Sequence, residues 1–281
     1  MLLRVTHETE FDYSDDITES VMEVRLTPVD TDRQSVRSYV LDVDPRAKLF
    51  GHTDYFGNIV QFFTIPRKHR RVSVVSSSVV DTSGDNPFDL EQGHGAPPVP
   101  FAGALFDYLQ FGGPVSRHPE LAAIASRFRS EEDVFSQLQG INRAIHDRLE
   151  YKPLVTRVDS PLDEVIELGQ GVCQDFAHLM IGVCRELALP SRYVSGYIYT
   201  PNNSGTRGAG ASHAWCECYM PGTGWKGFDP TNNLLVDEHY VQIGVGRDYR
   251  DVPPTKGIYR GGAQEDITVT VRTEAIDRRV R

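Results

Sequence analysis

Apolar residues fall on every second position from the start of the chain to about Asp81: Met22, Val24 and Leu26 interleave with Glu23 and Arg25, and Tyr39, Leu41 and Val43 with Asp42 and Asp44. In an extended chain successive side chains point to opposite faces, so this spacing predicts antiparallel sheet with one face buried. Phe56-Gly57-Asn58 supplies a turn between Thr53-Asp54-Tyr55 and the run Ile59 to Ile65, which predicts a hairpin there. The pattern then stops. Between Gly84 and about Pro100 the chain collects Gly84, Asn86, Pro87, Gly93, Gly95, Pro97, Pro98 and Pro100, residues that sustain neither period. The expected division is a β-rich domain over 1–85, a linker over 86–115 and a second domain over 116–281.

Helical spacing follows. Leu121, Ile124, Ala125 and Phe128 form one apolar stripe, and Val134, Leu138, Ile141, Ile145 and Leu149 a second, with Ser130 and Asp133 offering an N-cap. A third helical region starts near Ser160-Pro161, pauses at Gly169-Gln170-Gly171 and resumes from Val172 to about Ala188, where Pro190 forbids continuation. Its second half is apolar on most sides, as a central buried helix is. Period two returns in Arg192–Tyr199, His213–Tyr219, Trp225–Phe228 and finally Ile267, Val269 and Val271. Helices first and strands afterwards predict an α+β second domain, its helices packed on an antiparallel sheet. Asn202 to Gly210, rich in glycine and polar residues, reads as a mobile loop ahead of the strand that carries His213.

At 281 residues the chain has ample length for a buried core, and its formal charge of -10 opposes the attraction to phosphate backbones on which nucleic-acid binding rests. No apolar run after Met1 reads as a signal peptide, and none elsewhere as a membrane span. The four cysteines, Cys173, Cys184, Cys216 and Cys218, lie close together in sequence and leave the first 172 residues without any, which is no disulfide framework. Free thiols in a reducing, cytoplasmic setting are the expectation.

The chemistry concentrates in the second domain. Cys173 sits where Gly169-Gln170-Gly171 opens into the buried helix, and unpaired N–H groups at a helix start favour a thiolate over a thiol. Read alone, Cys173 could equally head the apolar stripe Cys173, Ala177, Met180, Cys184. His213 begins a strand and Asp229 ends the next. With Met220-Pro221-Gly222-Thr223-Gly224 as the hairpin loop, Tyr219 pairs roughly with Trp225 and Asp229 falls opposite Trp215 as a diagonal neighbour of His213, while a register change of one turn residue either way brings the two closer or flips the face. A carboxylate there would fix the imidazole tautomer and leave the other ring nitrogen to face a thiolate.

Together these blocks resemble the transglutaminase-like superfamily of papain-fold cysteine enzymes. The matching residues are Gly171-Val172-Cys173-Gln174-Asp175-Phe176-Ala177-His178, then Arg192-Tyr193-Val194-Ser195-Gly196-Tyr197, then His213-Ala214-Trp215, and then Gly224-Trp225-Lys226-Gly227-Phe228-Asp229-Pro230-Thr231, in the family's order. The core resemblance spans about Ser116 to Val241, and the first segment looks like the N-terminal domain of bacterial members. It implies a helix-borne Cys173 packed against a sheet presenting His213 and Asp229 as a catalytic triad. Gln170 stands where many relatives carry Arg.

The expected function is therefore attack of Cys173 on an amide bond of a peptide or protein, through a thioester acyl-enzyme, with hydrolysis the expected outcome. Transfer to an amine acceptor is the alternative, and a non-catalytic scaffold the reading from another class. Oxyanion or substrate-site candidates are Gln170, Tyr151, Trp215 and Gln174, while His178 and Asp175 read as supporting hydrogen-bond residues. A zinc site from His213, Cys216 and Cys218 is disfavoured, because on a strand 213 faces away from 216 and 218. No metal or other cofactor is assigned, and no calcium-ligand spacing appears.

Overall fold

The structure, a computed structural model, describes residues 1–84, 88, 102–131, 133–158, 160–201, 206, 207 and 210–277. Two four-stranded sheets build the N-terminal domain. Strands β1 (Leu2–Ile17), β2 (Glu19–Thr27), β3 (Ser35–Asp44), β4 (Phe50–Thr53), β5 (Ile59–Ile65) and β6 (His69–Asp81) supply six of its eight strands, and β4 and β5 form the expected hairpin. The alternation read in the sequence is the inward face: Met22, Val24, Leu26, Val72, Val74 and Val80 are buried between the sheets.

The other two strands come from the far end of the chain. Strand β14 (Thr255–Arg260) pairs with β2, Gly257 opposite Met22, and β15 (Glu265–Ala275) pairs with β1 from Leu3–Ala275 to Tyr13–Glu265. The sheet orders are β15-β1-β6-β3 and β14-β2-β5-β4. Ile267, Val269 and Val271 thus belong to the N-terminal sheets, and the expected extent of the second domain, 116–281, is corrected at its end. Alternation identifies a strand and its buried face but not its neighbour; here β15 takes up the ladder groups that β1 would otherwise expose as an edge.

The linker expectation over 86–115 also changes. Residues 85–87 and 89–101 lie outside the described set, but Ala102–Leu109 forms a 3-10 helix that is tied down at its C-terminal end. Tyr108 packs edge-on against Trp225, with ring centroids 5.0 Å apart, and the Arg185 guanidinium donates to the carbonyls of Tyr108 and Gln110.

The second domain packs α1 (Pro119–Ser126), α2 (Val134–Arg148), α3 (Leu162–Leu168) and α4 (Cys173–Glu186) against a five-stranded antiparallel sheet. The sheet contains β9 (Ser191–Ile198), β10 (His213–Met220), β11 (Gly224–Asp229), β12 (Leu234–Leu235) and β13 (Tyr240–Gly246), in the order β12-β11-β10-β9-β13. Asp133 caps α2 by accepting from Ser136 N at 2.9 Å. Buried on all sides, α4 is the central helix that its apolar composition demanded.

Tyr197, Val241 and Ile243 of this sheet pack into the core of the N-terminal domain, so the two domains share an apolar junction. Gly196 sits at that junction. A Cβ there would overlap the Val241 carbonyl and the Trp215 ring. Gly196→Ala is expected to destabilise the chain by about 3 kcal/mol. An unchanged Tm in that variant would show that β9 and β13 separate more easily than their packing implies.

Candidate active site

The turn that delivers Cys173 is built locally. Gly169 ends α3 in the left-handed region (φ 63°), and Gln170–Gly171, as β8, pair in parallel with Glu150–Tyr151, as β7. Asp175, at the third position of α4, accepts from Val172 N at 2.8 Å and from the Thr156 hydroxyl at 2.7 Å. A Cβ on Gly171 would lie 2.6 Å from that carboxylate, so the cap and the glycine require each other. Cys173 follows at the first turn, half-buried, where backbone N–H groups have no intrahelical acceptor.

His213 opens β10 and is 1% exposed; Asp229 closes β11 and is fully buried. The β10–β11 ladder pairs Tyr219 with Trp225 and Cys216 with Phe228, the register expected from the loop length. His213 Nε2 lies 2.8 Å from Asp229 Oδ2. Because the carboxylate can only accept, Nε2 carries the proton and Nδ1 is the nitrogen left over. Nδ1 is buried and completes no hydrogen bond. Burial by itself opposes charge on this ring, but the Asp229 charge and hydrogen bond, reinforced by Cys173, overcome it and push the imidazole up to about 10.

Asp229 is held on all sides. Oδ2 also accepts from Asn232 Nδ2 at 2.8 Å and from the Tyr240 hydroxyl at 2.9 Å, while Oδ1 accepts from the backbone N–H of Thr231 at 3.0 Å and of Asn232 at 3.3 Å. Burial pushes its carboxyl up, and the neighbouring imidazole with these donors more than reverses that, so it stays below the usual range. Asn232 in turn bonds the backbone of Arg207, whose guanidinium donates to Thr231 O at 3.2 Å. Sequence reasoning missed Tyr240 and Asn232. Asn232 carries a weak signal, three residues past Asp229 in Asp229-Pro230-Thr231-Asn232, whereas nothing local marks Tyr240.

The other sequence candidates separate. Tyr151 is half-buried and packs against the same core as Cys173: burial and then the Cys173 charge raise its phenol, with the Arg207 charge acting the other way, so it stays a proton donor. Gln170 Nε2 is committed to Glu150 Oε2 at 2.8 Å, and Gln174, buried, donates to Val158 O at 2.9 Å. Trp215 is buried against Tyr240, with centroids 5.3 Å apart, and lines with Trp225 a cavity of about 330 Å³ at the domain junction whose walls do not include Cys173. His178 accepts from Tyr249 N at 3.1 Å and burial lowers it to about 4, so it is a neutral core histidine. The loop expected over Asn202 to Gly210 lies outside the described residues except at Thr206, Arg207 and Gly210.

Cys216 and Cys218 face the helices, where they meet Cys184 of α4: Cys218 Sγ is 3.6 Å from each of the other two sulfurs. All three are fully buried, and burial pushes the Cys216 and Cys218 thiols up. Among the described residues no group of three or more His, Cys, Asp or Glu side chains is arranged to hold a metal ion, and no helix is long and apolar enough to cross a membrane.

Comparison with known proteins yields two family models in tandem. The bacterial transglutaminase-like N-terminal region matches residues 3–81, and the transglutaminase-like superfamily matches residues 122–230. The chain is 34% identical over 278 residues to an uncharacterized protein of Mycobacterium leprae, covering 96% of this chain and 97% of that one. It is equally 34% identical over 285 residues to an uncharacterized protein of Mycobacterium tuberculosis, covering 95% and 91%. A crystallised candidate cysteine protease from Cytophaga hutchinsonii shares its fold, with a TM-score of 0.78 over 99% of this chain and 92% of that chain at 24% identity.

Proposed function

The chain belongs to the transglutaminase-like superfamily, and from that premise we propose that it is an amide-cleaving acyl-transfer enzyme with Cys173 as nucleophile, His213 as acid–base and Asp229 as the carboxylate that orients it. The observation that carries this reading is the His213 Nε2–Asp229 Oδ2 hydrogen bond with Nδ1 left unpaired toward Cys173. An imidazole so held is protonated beside a thiol, the arrangement that supports a thiolate–imidazolium pair.

In the proposed reaction the Cys173 sulfur bonds to the amide carbonyl carbon and the carbonyl π electrons move to oxygen. The backbone N–H of Cys173 faces that oxyanion, and the Tyr151 phenol is the better second donor because Gln170 is already engaged. Nδ1 gives its proton to the leaving nitrogen, the C–N bond breaks, and a thioester remains. Water then attacks the thioester while Nδ1 takes its proton; collapse expels the thiolate and releases the acid. The substrate is a peptide or protein amide, and water is always at hand to complete hydrolysis.

Brief treatment of native protein with iodoacetamide tests the nucleophile directly. Cys173 is expected to carry the adduct, since it is half-buried whereas the other three thiols are fully buried. His213→Ala should slow labelling at neutral pH without unfolding the chain. First labelling at Cys216 or Cys218, or a Cys173 rate no faster than in denatured protein, would remove the assignment. Release of ammonia or peptide from a substrate library, with and without added amine, then separates hydrolysis from transfer; no turnover at all would favour the scaffold reading.

A further inference from the structure

Strand β13 is the edge of the catalytic-domain sheet, yet its outward groups are not free. Gln34 of the N-terminal domain, 6% exposed, accepts from Gln242 N at 2.9 Å and donates Nε2 to Gln242 O at 2.8 Å, as well as to Val29 O at 2.8 Å. Asn58, 1% exposed, repeats the pattern one register farther on: it accepts from Val245 N at 2.7 Å and donates to Val245 O at 2.8 Å, while Asp54 takes its other proton at 3.0 Å. Two side-chain amides thus stand where a neighbouring strand would place two peptide groups. The bulge between Gln242 and Gly244 explains why the clamped residues are three apart rather than two.

Between the clamp and the site stands one residue. Tyr240 begins β13, two positions before Gln242, and its hydroxyl donates to Asp229 Oδ2 at 2.9 Å; its ring packs on Trp215 and lies 6.2 Å from the His213 ring. We infer that the N-terminal domain is a positioning element of the active site: Gln34 and Asn58 lock β13, and β13 holds Tyr240, which fixes the Asp229–His213 pair. This rests on the catalytic reading of Cys173, His213 and Asp229, and it assigns that domain a task at the reacting centre without contact to substrate. Tyr240, Gln34 and Asn58 are positioning residues.

The test uses the full chain and two readouts: the pH profile of Cys173 alkylation by iodoacetamide, and the solvent exchange of the His213 Nε2 proton by NMR. Tyr240→Phe removes one donor to the carboxylate and is expected to slow labelling at neutral pH by about fivefold. Gln34→Ala, which touches nothing in the site, should act in the same direction by roughly threefold and speed exchange of the Nε2 proton. The double variant should be no slower than Tyr240→Phe alone, because both act along one chain of contacts. Tyr39→Phe, which removes the Tyr39–Gln61 hydrogen bond inside the N-terminal domain, controls for lost stability and should leave both readouts unchanged. If Gln34→Ala lowers Tm but keeps the wild-type labelling profile, or if the double variant is additive, the inference is overturned. If wild-type Cys173 proves unreactive, the catalytic reading fails by itself, and the Nε2 proton decides the clamp: unchanged exchange in Gln34→Ala refutes it, and faster exchange supports it.

Discussion

Asp229→Asn is expected to lower turnover by ~10³–10⁴ while the protein still folds. The amide has no charge with which to stabilise the His213 imidazolium, so burial dominates and the ring reverts toward the neutral form. Local hydrogen bonding adds a second loss. If the new NH₂ takes the Oδ2 position it meets three donors, from His213, Asn232 and Tyr240; if it takes the Oδ1 position it meets the backbone N–H groups of Thr231 and Asn232. Either orientation opposes donors at a fully buried side chain, a loss of about 1–3 kcal/mol visible as a lower Tm. Turnover is measured on an amide substrate that His213→Ala cannot process. Wild-type rates from the asparagine variant would remove Asp229 from the mechanism.

Stability should fall steeply as the pH is lowered from 6.5 to 4, with about two protons taken up on unfolding. His7 is buried between the Tyr197 hydroxyl and Thr9, each at 3.0 Å, and burial lowers it from 6.5 to about 4. His178 is lowered to about 4 by burial and accepts the Tyr249 N–H. Both are neutral in the folded chain where the unfolded chain is already protonated, so the unfolded state gains as pH falls through this window. Each contributes about 3 kcal/mol of destabilisation by its lower end. His213 has the opposite sign: raised to about 10, it holds its proton in both states below 6.5, and its stabilising contribution is lost as pH rises from 6.5 through that value. Urea titrations at several pH values read the slope. His178→Gln, which keeps an acceptor for Tyr249, should reduce the uptake by about one proton; an unaltered slope would show that His178 titrates normally.

Where the sequence was informative, a short-range rule was at work. Period two placed β1 to β6, Asp133 marked the start of α2, and Gly169 to Gly171 located the break that sets Cys173 at a helix start. The hairpin loop predicted the β10–β11 register to within one residue, and the ladder and the hydrogen bond between His213 and Asp229 fix it. The motif order Cys, His, Asp supplied the family resemblance, and the matches to both family models agree with it.

What remained hidden depends on partners far apart in the chain. The alternation of Ile267, Val269 and Val271 is the same whether β15 closes one sheet or the other, and only packing sends it to β1. Cys184, Cys216 and Cys218 read as one helix residue and two strand residues until α4 is laid on the face that Cys216 and Cys218 share. Tyr240, Gln34 and Asn58 look like ordinary polar strand and turn residues, because a hydrogen bond to Asp229 or to an edge strand leaves no periodic trace. Local sequence determined the elements and the face each one buries, since backbone geometry repeats over two or 3.6 residues. Tertiary structure decided the neighbours, since burial rewards any complementary apolar face, and only simultaneous satisfaction of many distant hydrogen bonds selects one arrangement.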